Sequence, residues 1–125
     1  MKMAALFVPV GTMVFSSKGK ADGMTKKYYT KDQPVDTTIP IMVLVNSSTA
    51  SSSEIVAGAL QDLDRATIAG TRTYGKGLIQ SMRPTTYNGT LKLTTGKYYT
   101  PSGRCVQAID YSHRNSDGSV GHIPD

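Results

Sequence analysis

The chain has little of what most catalytic and metal centres are read from. It holds one cysteine, Cys105, no tryptophan, and two histidines, His113 and His122. A lone cysteine forms no intrachain disulfide and leaves the redox compartment unread. With no histidine in a suggestive relation to it, Cys105 reads as a small packing residue rather than a nucleophile. No stretch approaches the roughly 20 apolar residues that span a bilayer. Residues 1–10 loosely imitate a signal peptide, but Pro9 interrupts the apolar run and no small-residue cleavage site follows, so they are expected to be the end of a helix entered midway. The basic residues behind the net charge of +5 are dispersed and are not interleaved with aromatics, so no nucleic-acid surface is expected. Lys18, Lys20, Lys26 and Lys27 flank a glycine-rich turn and read as a solvated hairpin end.

What is present fits one soluble domain or a part of one. The length of 125 residues allows a real core, and hydrophobic and charged contents of 38% and 18% are ordinary. Residues 12–17 and 24–29 predict two strands joined by the polar turn 18–23. Residues 30–40 carry two prolines and predict a surface loop. The unbroken apolar run Ile41-Met42-Val43-Leu44-Val45 predicts a central strand buried on both faces. A helix follows, capped by Ser52 or Ser53, with Glu54 at the positive end of its dipole. Ile55, Val56, Ala59, Leu60 and Leu63 recur at helical spacing, and Gly58 suggests close packing against the sheet. Residues 66–69 predict the next strand, parallel to the first through a right-handed crossover. Strands are further expected over 78–83, ended by Pro84, and over 90–99. Pro101-Ser102-Gly103 then turns the chain into 106–109. Residues 111–125 lack periodicity and are expected to be an irregular tail. The sequons at Asn46 and Asn88 read as chance matches.

Two features carry chemistry. The run Asn46-Ser47-Ser48-Thr49-Ala50-Ser51-Ser52-Ser53-Glu54 lies between an apolar strand and a helix, a place that presents hydroxyls. Gly75-Lys76-Gly77 is a turn able to bring a lysine close to a neighbour. A serine needs a base to accept its proton. Both histidines lie in the irregular tail, so a Ser-His-Asp set has little support. A desolvated, neutral lysine can serve instead. Gln80, four residues past Lys76 in a strand of period two, projects from the same face and can orient the amine. Plainer readings stand beside this one: the serines as a helix cap, Lys76 as an exposed loop lysine, Gln80 as an outward strand residue. Residues 70–76 also fit the G-x-x-x-x-G-K of a phosphate-binding loop. Gly77, however, stands where Ser or Thr should hold magnesium, and a strand is predicted where a helix should open.

The segments Thr49-Ala50-Ser51-Ser52-Ser53-Glu54-Ile55-Val56-Ala57-Gly58-Ala59-Leu60-Gln61-Asp62, Arg65-Ala66, Thr73-Tyr74-Gly75-Lys76-Gly77 with Gln80, and Lys92-Leu93-Thr94-Thr95-Gly96-Lys97-Tyr98-Tyr99-Thr100-Pro101-Ser102-Gly103-Arg104 closely resemble the C-terminal processing peptidases, or tail-specific proteases. The resemblance runs from about residue 41 to 109. It implies an α/β fold of the ClpP/crotonase-like kind, strands with crossover helices. It implies Ser51 as nucleophile, Lys76 twenty-five positions later as general base, Gln80 supporting the lysine, and the Ser52 backbone N–H in the oxyanion hole, where the family has alanine. It implies no metal or cofactor. The partners would be proteins or peptides bound as extended C-terminal segments, and the location the bacterial periplasm or cell envelope. Family members also carry an upstream Asp-Leu-Arg-x-Asn-x-Gly-Gly segment that supplies the second oxyanion donor, and a PDZ domain. Neither is found in residues 1–125, so the chain is expected to be a truncated part of the peptidase core. Losing one oxyanion donor costs about 10²–10³ in rate, so it is expected to be weak or inactive alone. The alternatives are a non-catalytic peptide-binding scaffold that keeps the fold and, further off, a nucleotide binder. Exposed strand edges make a homo-oligomer a further expectation.

Overall fold

The computed structural model describes residues 2–21 and 23–122; Asp22 of the expected turn, Met1, and residues 123–125 of the expected tail lie outside the described residues. The order is α1 (Lys2–Ala5), β1 (Met13–Gly19), β2 (Thr25–Tyr29), β3 (Met42–Val45), α2 (Ser52–Asp62), β4 (Thr67–Gly70), β5 (Leu78–Pro84), β6 (Thr90–Tyr99), β7 (Ile109–Arg114) and β8 (Val120–His122). The strands form a four-stranded sheet in the order β2-β1-β6-β5 and two pairs, β3-β4 and β7-β8. All pairs are antiparallel except β3-β4, which is parallel, as the strand–helix–strand order requires.

The core forms where α2 packs on the four-stranded sheet. Ile55 and Ala59 on the helix meet Val14 and Phe15 of β1 and Ala4 of α1, with half-buried Tyr98 of β6 against them. Phe15 stacks on Tyr28 with centroids 4.2 Å apart and meets Tyr98 edge-on at 5.6 Å, both favourable ring geometries. β1 lies inside the sheet between β2 and β6, and Val14, Phe15, Ser16 and Ser17 are all buried there. Helix α2 stops because Leu63 N–H still reaches the Ala59 carbonyl while Asp64 turns left-handed, with φ of 51°. Arg65 then donates to the carbonyls of Phe7 (2.6 Å), Ile39 (2.8 Å) and Asp36 (3.3 Å), pinning the 30–40 loop beside the end of α1.

Four expectations are corrected. The β3 run is not buried on both faces: Met42 and Leu44 are 63% and 78% exposed while Val43 and Val45 are half-buried. Among the described residues β3 pairs only with β4, and no layer covers its outer face, so its apolar run becomes an alternating one in burial. The residue capping α2 is Ser51, not Ser52 or Ser53. Gly58 admits a close neighbour, but that neighbour is Thr100 just beyond β6: a Cβ at Gly58 would lie 2.8 Å from its Cγ2. From Tyr111 the chain is no irregular tail, since β7 and β8 form a hairpin across a turn in which Gly118 N–H bonds the Asn115 carbonyl.

Candidate active site

Ser51 ends the connection that leaves β3 and opens α2, and its backbone there is unusual. Its φ of 55° and ψ of −115° lie outside the region L residues favour, a conformation glycine adopts freely and other residues adopt at a cost of about 1–3 kcal/mol. Backbone strain of this kind clusters at active sites. The turn before it is built by its own side chains: Asn46 N–H donates to Thr49 Oγ1 at 3.0 Å, and Ser48 N–H to Asn46 Oδ1 at 2.9 Å. The Ser52 N–H, at the first turn of α2, has no acceptor among the described residues and stands at the helix's positive end.

Glu54 joins this turn to the Gly75-Lys76-Gly77 turn. It is 3% exposed, three residues after Ser51, and reaches back in the manner of a capping box. One oxygen, Oε2, accepts the N–H of Ser51 and the N–H of Lys76, each at 2.8 Å; Oε1 accepts the N–H of Gly75 at 2.6 Å. Two bonds to one oxygen bound the separation of the Ser51 and Lys76 amides at twice 2.8 Å. The residues proposed from sequence as nucleophile and base are therefore adjacent in the backbone despite their distance along the chain. A second tie runs from Tyr74 N–H to the Thr49 carbonyl at 2.9 Å. On the far side, Gly77 N–H donates to Gln107 Oε1 at 2.8 Å, and Ala108 N–H to the Gly75 carbonyl at 3.0 Å.

The side chains stand differently from the backbones. Lys76 is exposed, so the dry lysine expected from sequence is absent in this state, and among the described residues no hydrogen bond joins it to the half-buried Ser51. Gln80 is exposed as well. Lys76 and Gln80 do line one depression of about 480 Å³, with Tyr74, Leu78, Thr94, Lys97 and Tyr111 among its other walls. Lys76 precedes β5, and a register shift lies between Ile79 and Gln80, so the period-two argument does not reach across the pair; Ser51 is not among the walls of the depression. A phosphate-binding loop is contradicted twice over: strand β5 follows the glycine turn, and the Gly75 and Lys76 amides that would cradle phosphate already donate to a carboxylate.

At its C-terminal end α2 is held by another carboxylate. Asp62 accepts from Ser102 N–H (3.1 Å), Ser102 Oγ (2.6 Å) and Arg104 (2.8 Å), while Arg104 also donates to Gln61 Oε1 at 2.9 Å. Partial burial pushes the Asp62 carboxyl up, but the Ser102 hydrogen bonds and the Arg104 charge outweigh it and hold the group below the ordinary carboxylate range. Neither Glu54 as a bridge, Asp62 as an anchor, nor Gln107 was foreseen. Ser51-x-x-Glu54 is a readable capping-box spacing, whereas Gln107 has no local signal. Among the described residues no group of three or more His, Cys, Asp or Glu side chains is placed to hold a metal ion, and no helix is long and apolar enough to cross a membrane.

The chain is similar to proteins of known class. The chain is 47% identical over 96 residues to a carboxy-terminal-processing protease of Bartonella bacilliformis, covering 77% of this chain and 22% of that protein. It is 42% identical over 107 residues to a carboxyl-terminal-processing protease of Synechocystis, covering 86% and 24%. The solved structure of a photosystem II D1 C-terminal processing protease superposes with a TM-score of 0.77 at 36% identity, over 84% of this chain and 27% of that one, and bears out the α/β fold as part of a larger core. The chain thus spans roughly a quarter of the length of these proteins. The model of peptidase family S41 matches residues 1–112. With nine-tenths of its length under that match, the chain belongs to peptidase family S41.

Proposed function

We propose that the protein is a serine endopeptidase that cleaves near the C-termini of proteins through Ser51 and Lys76. The observation that carries the reading is Glu54 Oε2, one buried acceptor that holds the amides of both residues. In the reaction Ser51 Oγ attacks the scissile carbonyl carbon as its proton passes to neutral Lys76 Nζ. The resulting oxyanion is met by the Ser52 N–H, which is otherwise unbonded among the described residues. Collapse breaks the C–N bond, and Lys76 returns the proton to the departing amine. Water then attacks the acyl-enzyme, giving its proton to Lys76, and Ser51 leaves with one. Gln80, sharing a wall of the depression with Lys76, orients the amine.

Lys76 must shed water to act as a base. β5 is an edge strand that begins two residues after Lys76, so an extended peptide added there gains main-chain hydrogen bonds and covers the exposed lysine. By the same reading the protein works in the bacterial cell envelope on exported proteins. A non-catalytic peptide-binding role draws on one observation, the exposure of Lys76 away from Ser51. Hydrolysis of an unfolded substrate by the protein at its natural length separates the two. Peptidase activity lost in both Ser51→Ala and Lys76→Ala supports the enzyme; binding without hydrolysis supports the scaffold. Attachment of a fluorophosphonate to Ser51, at a rate that depends on Lys76, is the companion measurement.

A further inference from the structure

Four consecutive amides, those of residues 74–77, each donate to an acceptor from another part of the chain: the Thr49 carbonyl, both oxygens of Glu54, and Gln107 Oε1. Lys76 sits inside this series, and each planar peptide unit beside it is held separately. The unit before its Cα carries the Lys76 N–H and is fixed by Glu54; the unit after it carries the Gly77 N–H and is fixed by Gln107. Both soft dihedrals of Lys76 are thereby restrained, and with them the direction of its Cα–Cβ bond.

Gln107 is built for that task. It is 4% exposed, and both ends of its amide are used: Oε1 accepts from Gly77, while Nε2 donates to the Ile109 carbonyl at 3.0 Å. The Ile109 carbonyl accepts only from a donor, so it decides which end of the amide faces Gly77. The glycines flanking Lys76 exist for the same approach. A Cβ at Gly77 would lie 2.7 Å from Gln107 N, and one at Gly75 would lie 2.2 Å from Ala108 Cβ. Two glycines therefore let the 105–108 segment reach the turn, and Gln107 makes the bond that this contact allows.

We infer that Gln107 is a positioning residue for Lys76, fixing the peptide unit that follows the lysine as Glu54 fixes the one that precedes it. The inference rests on the reading of Lys76 as the base. The test is made in the protein at its natural length with Gln107→Met, which keeps the volume without either bond, and Gln107→Glu, which keeps the acceptor for Gly77 but sets an oxygen against the Ile109 carbonyl. For each, kcat and KM for peptide hydrolysis and the rate of Ser51 labelling by a fluorophosphonate are measured and scaled to the folded fraction from thermal melts. Gln107→Met is expected to lower kcat and the labelling rate by up to about 10²-fold, the scale of a misplaced catalytic group, while KM stays within about threefold. Gln107→Glu falls between it and the wild type. If kcat per folded molecule is unchanged in either variant, or if KM carries the loss, the inference is wrong and Gln107 is only a packing residue. Lys76→Ala tells the two failures apart. Hydrolysis surviving it sinks the base reading itself; hydrolysis lost in it but intact in the Gln107 variants sinks this inference alone.

Discussion

Both ends of α2 are tied to distant chain by a carboxylate, and the two ties are chemically unlike. Glu54 at the N-terminal end is buried and receives only neutral main-chain N–H groups, from Ser51, Gly75 and Lys76. Asp62 at the C-terminal end has a side chain only 7% exposed, but it receives a hydroxyl, an amide and a guanidinium from donors that water reaches, Ser102 being exposed and the Arg104 side chain 53% exposed. Donors at an exposed site find water when their acceptor is removed; donors at a buried one do not. The N-terminal tie therefore sets the geometry of the site at a high cost of failure, while the C-terminal tie fastens the helix to the 100–104 turn at a low one.

The harshest test of that contrast is Glu54→Ala. It strands the Gly75 amide, which is buried, and the Ser51 and Lys76 amides, which are partly so; at about 1–3 kcal/mol for an unpaired buried donor and the lower end of that range for the other two, a loss of about 3–6 kcal/mol is expected. Against a typical total of about 5–15 kcal/mol this brings the fold near its threshold. The urea midpoint should fall steeply, and activity per folded molecule should fall with it because the serine and lysine turns are no longer held together. A loss below about 1 kcal/mol would show that water reaches these amides and that the two ends of α2 are alike.

Gly75→Ala strikes the same tie from the other partner. The residue has a φ of 83°, and its new Cβ would stand 2.2 Å from Ala108 Cβ. A left-handed conformation costs an L residue about 1–2 kcal/mol and overpacking about 1–3 kcal/mol, so about 2–5 kcal/mol of stability is expected to go, with slower Ser51 labelling. An unaltered urea curve would mean that the 105–108 segment moves away freely.

These contacts also mark how far the sequence could be read. Strands β1, β2 and β5 are legible from the turn residues and the proline that bound them and β6 from its alternation, all local signals, as are the helical spacing of Ile55, Ala59 and Leu60 and the glycines around Lys76. The run at β3 states that its residues are apolar but not which neighbours cover them, and so Met42 and Leu44 mislead. The hairpin after Ile109 is hidden by polar residues, although Asn115-Ser116-Asp117-Gly118 is a local turn signal. Ser51 and Lys76 are found by resemblance, and their shared acceptor Glu54 has a readable capping-box spacing. Gln107 joins them across thirty positions through one side-chain bond, a tertiary relation that no window of sequence contains.

At the other end of the helix, Asp62→Ala releases Ser102 and Arg104. The Arg104 side chain is 53% exposed, so water takes over most of what is lost, and about 1–2 kcal/mol is expected. kcat should not move, because the site is held from the opposite end. A drop in kcat without a matching drop in folded fraction would mean that the 100–104 turn reports to the active site, and the division of labour along α2 would fail.

The smallest effect distinguishes the two ties by pH. The Asp62 carboxyl is held below its ordinary value by the Ser102 hydrogen bonds and the Arg104 charge, acting against partial burial. A group with a depressed folded pKa contributes stability that is fully present above its unfolded pKa, about 3.9, and is lost as pH falls through the folded one. The difference in urea midpoint between wild type and Asp62→Asn should therefore be constant from neutral pH down to about pH 5 and shrink below about pH 4. It must be smaller than the Asp62→Ala effect, because a protonated carboxyl or an amide still accepts from Ser102 and loses only its attraction for Arg104. A difference that grows with acidity would reverse the sign, and would mean that burial rather than the Ser102 and Arg104 bonds dominates at this end of the helix.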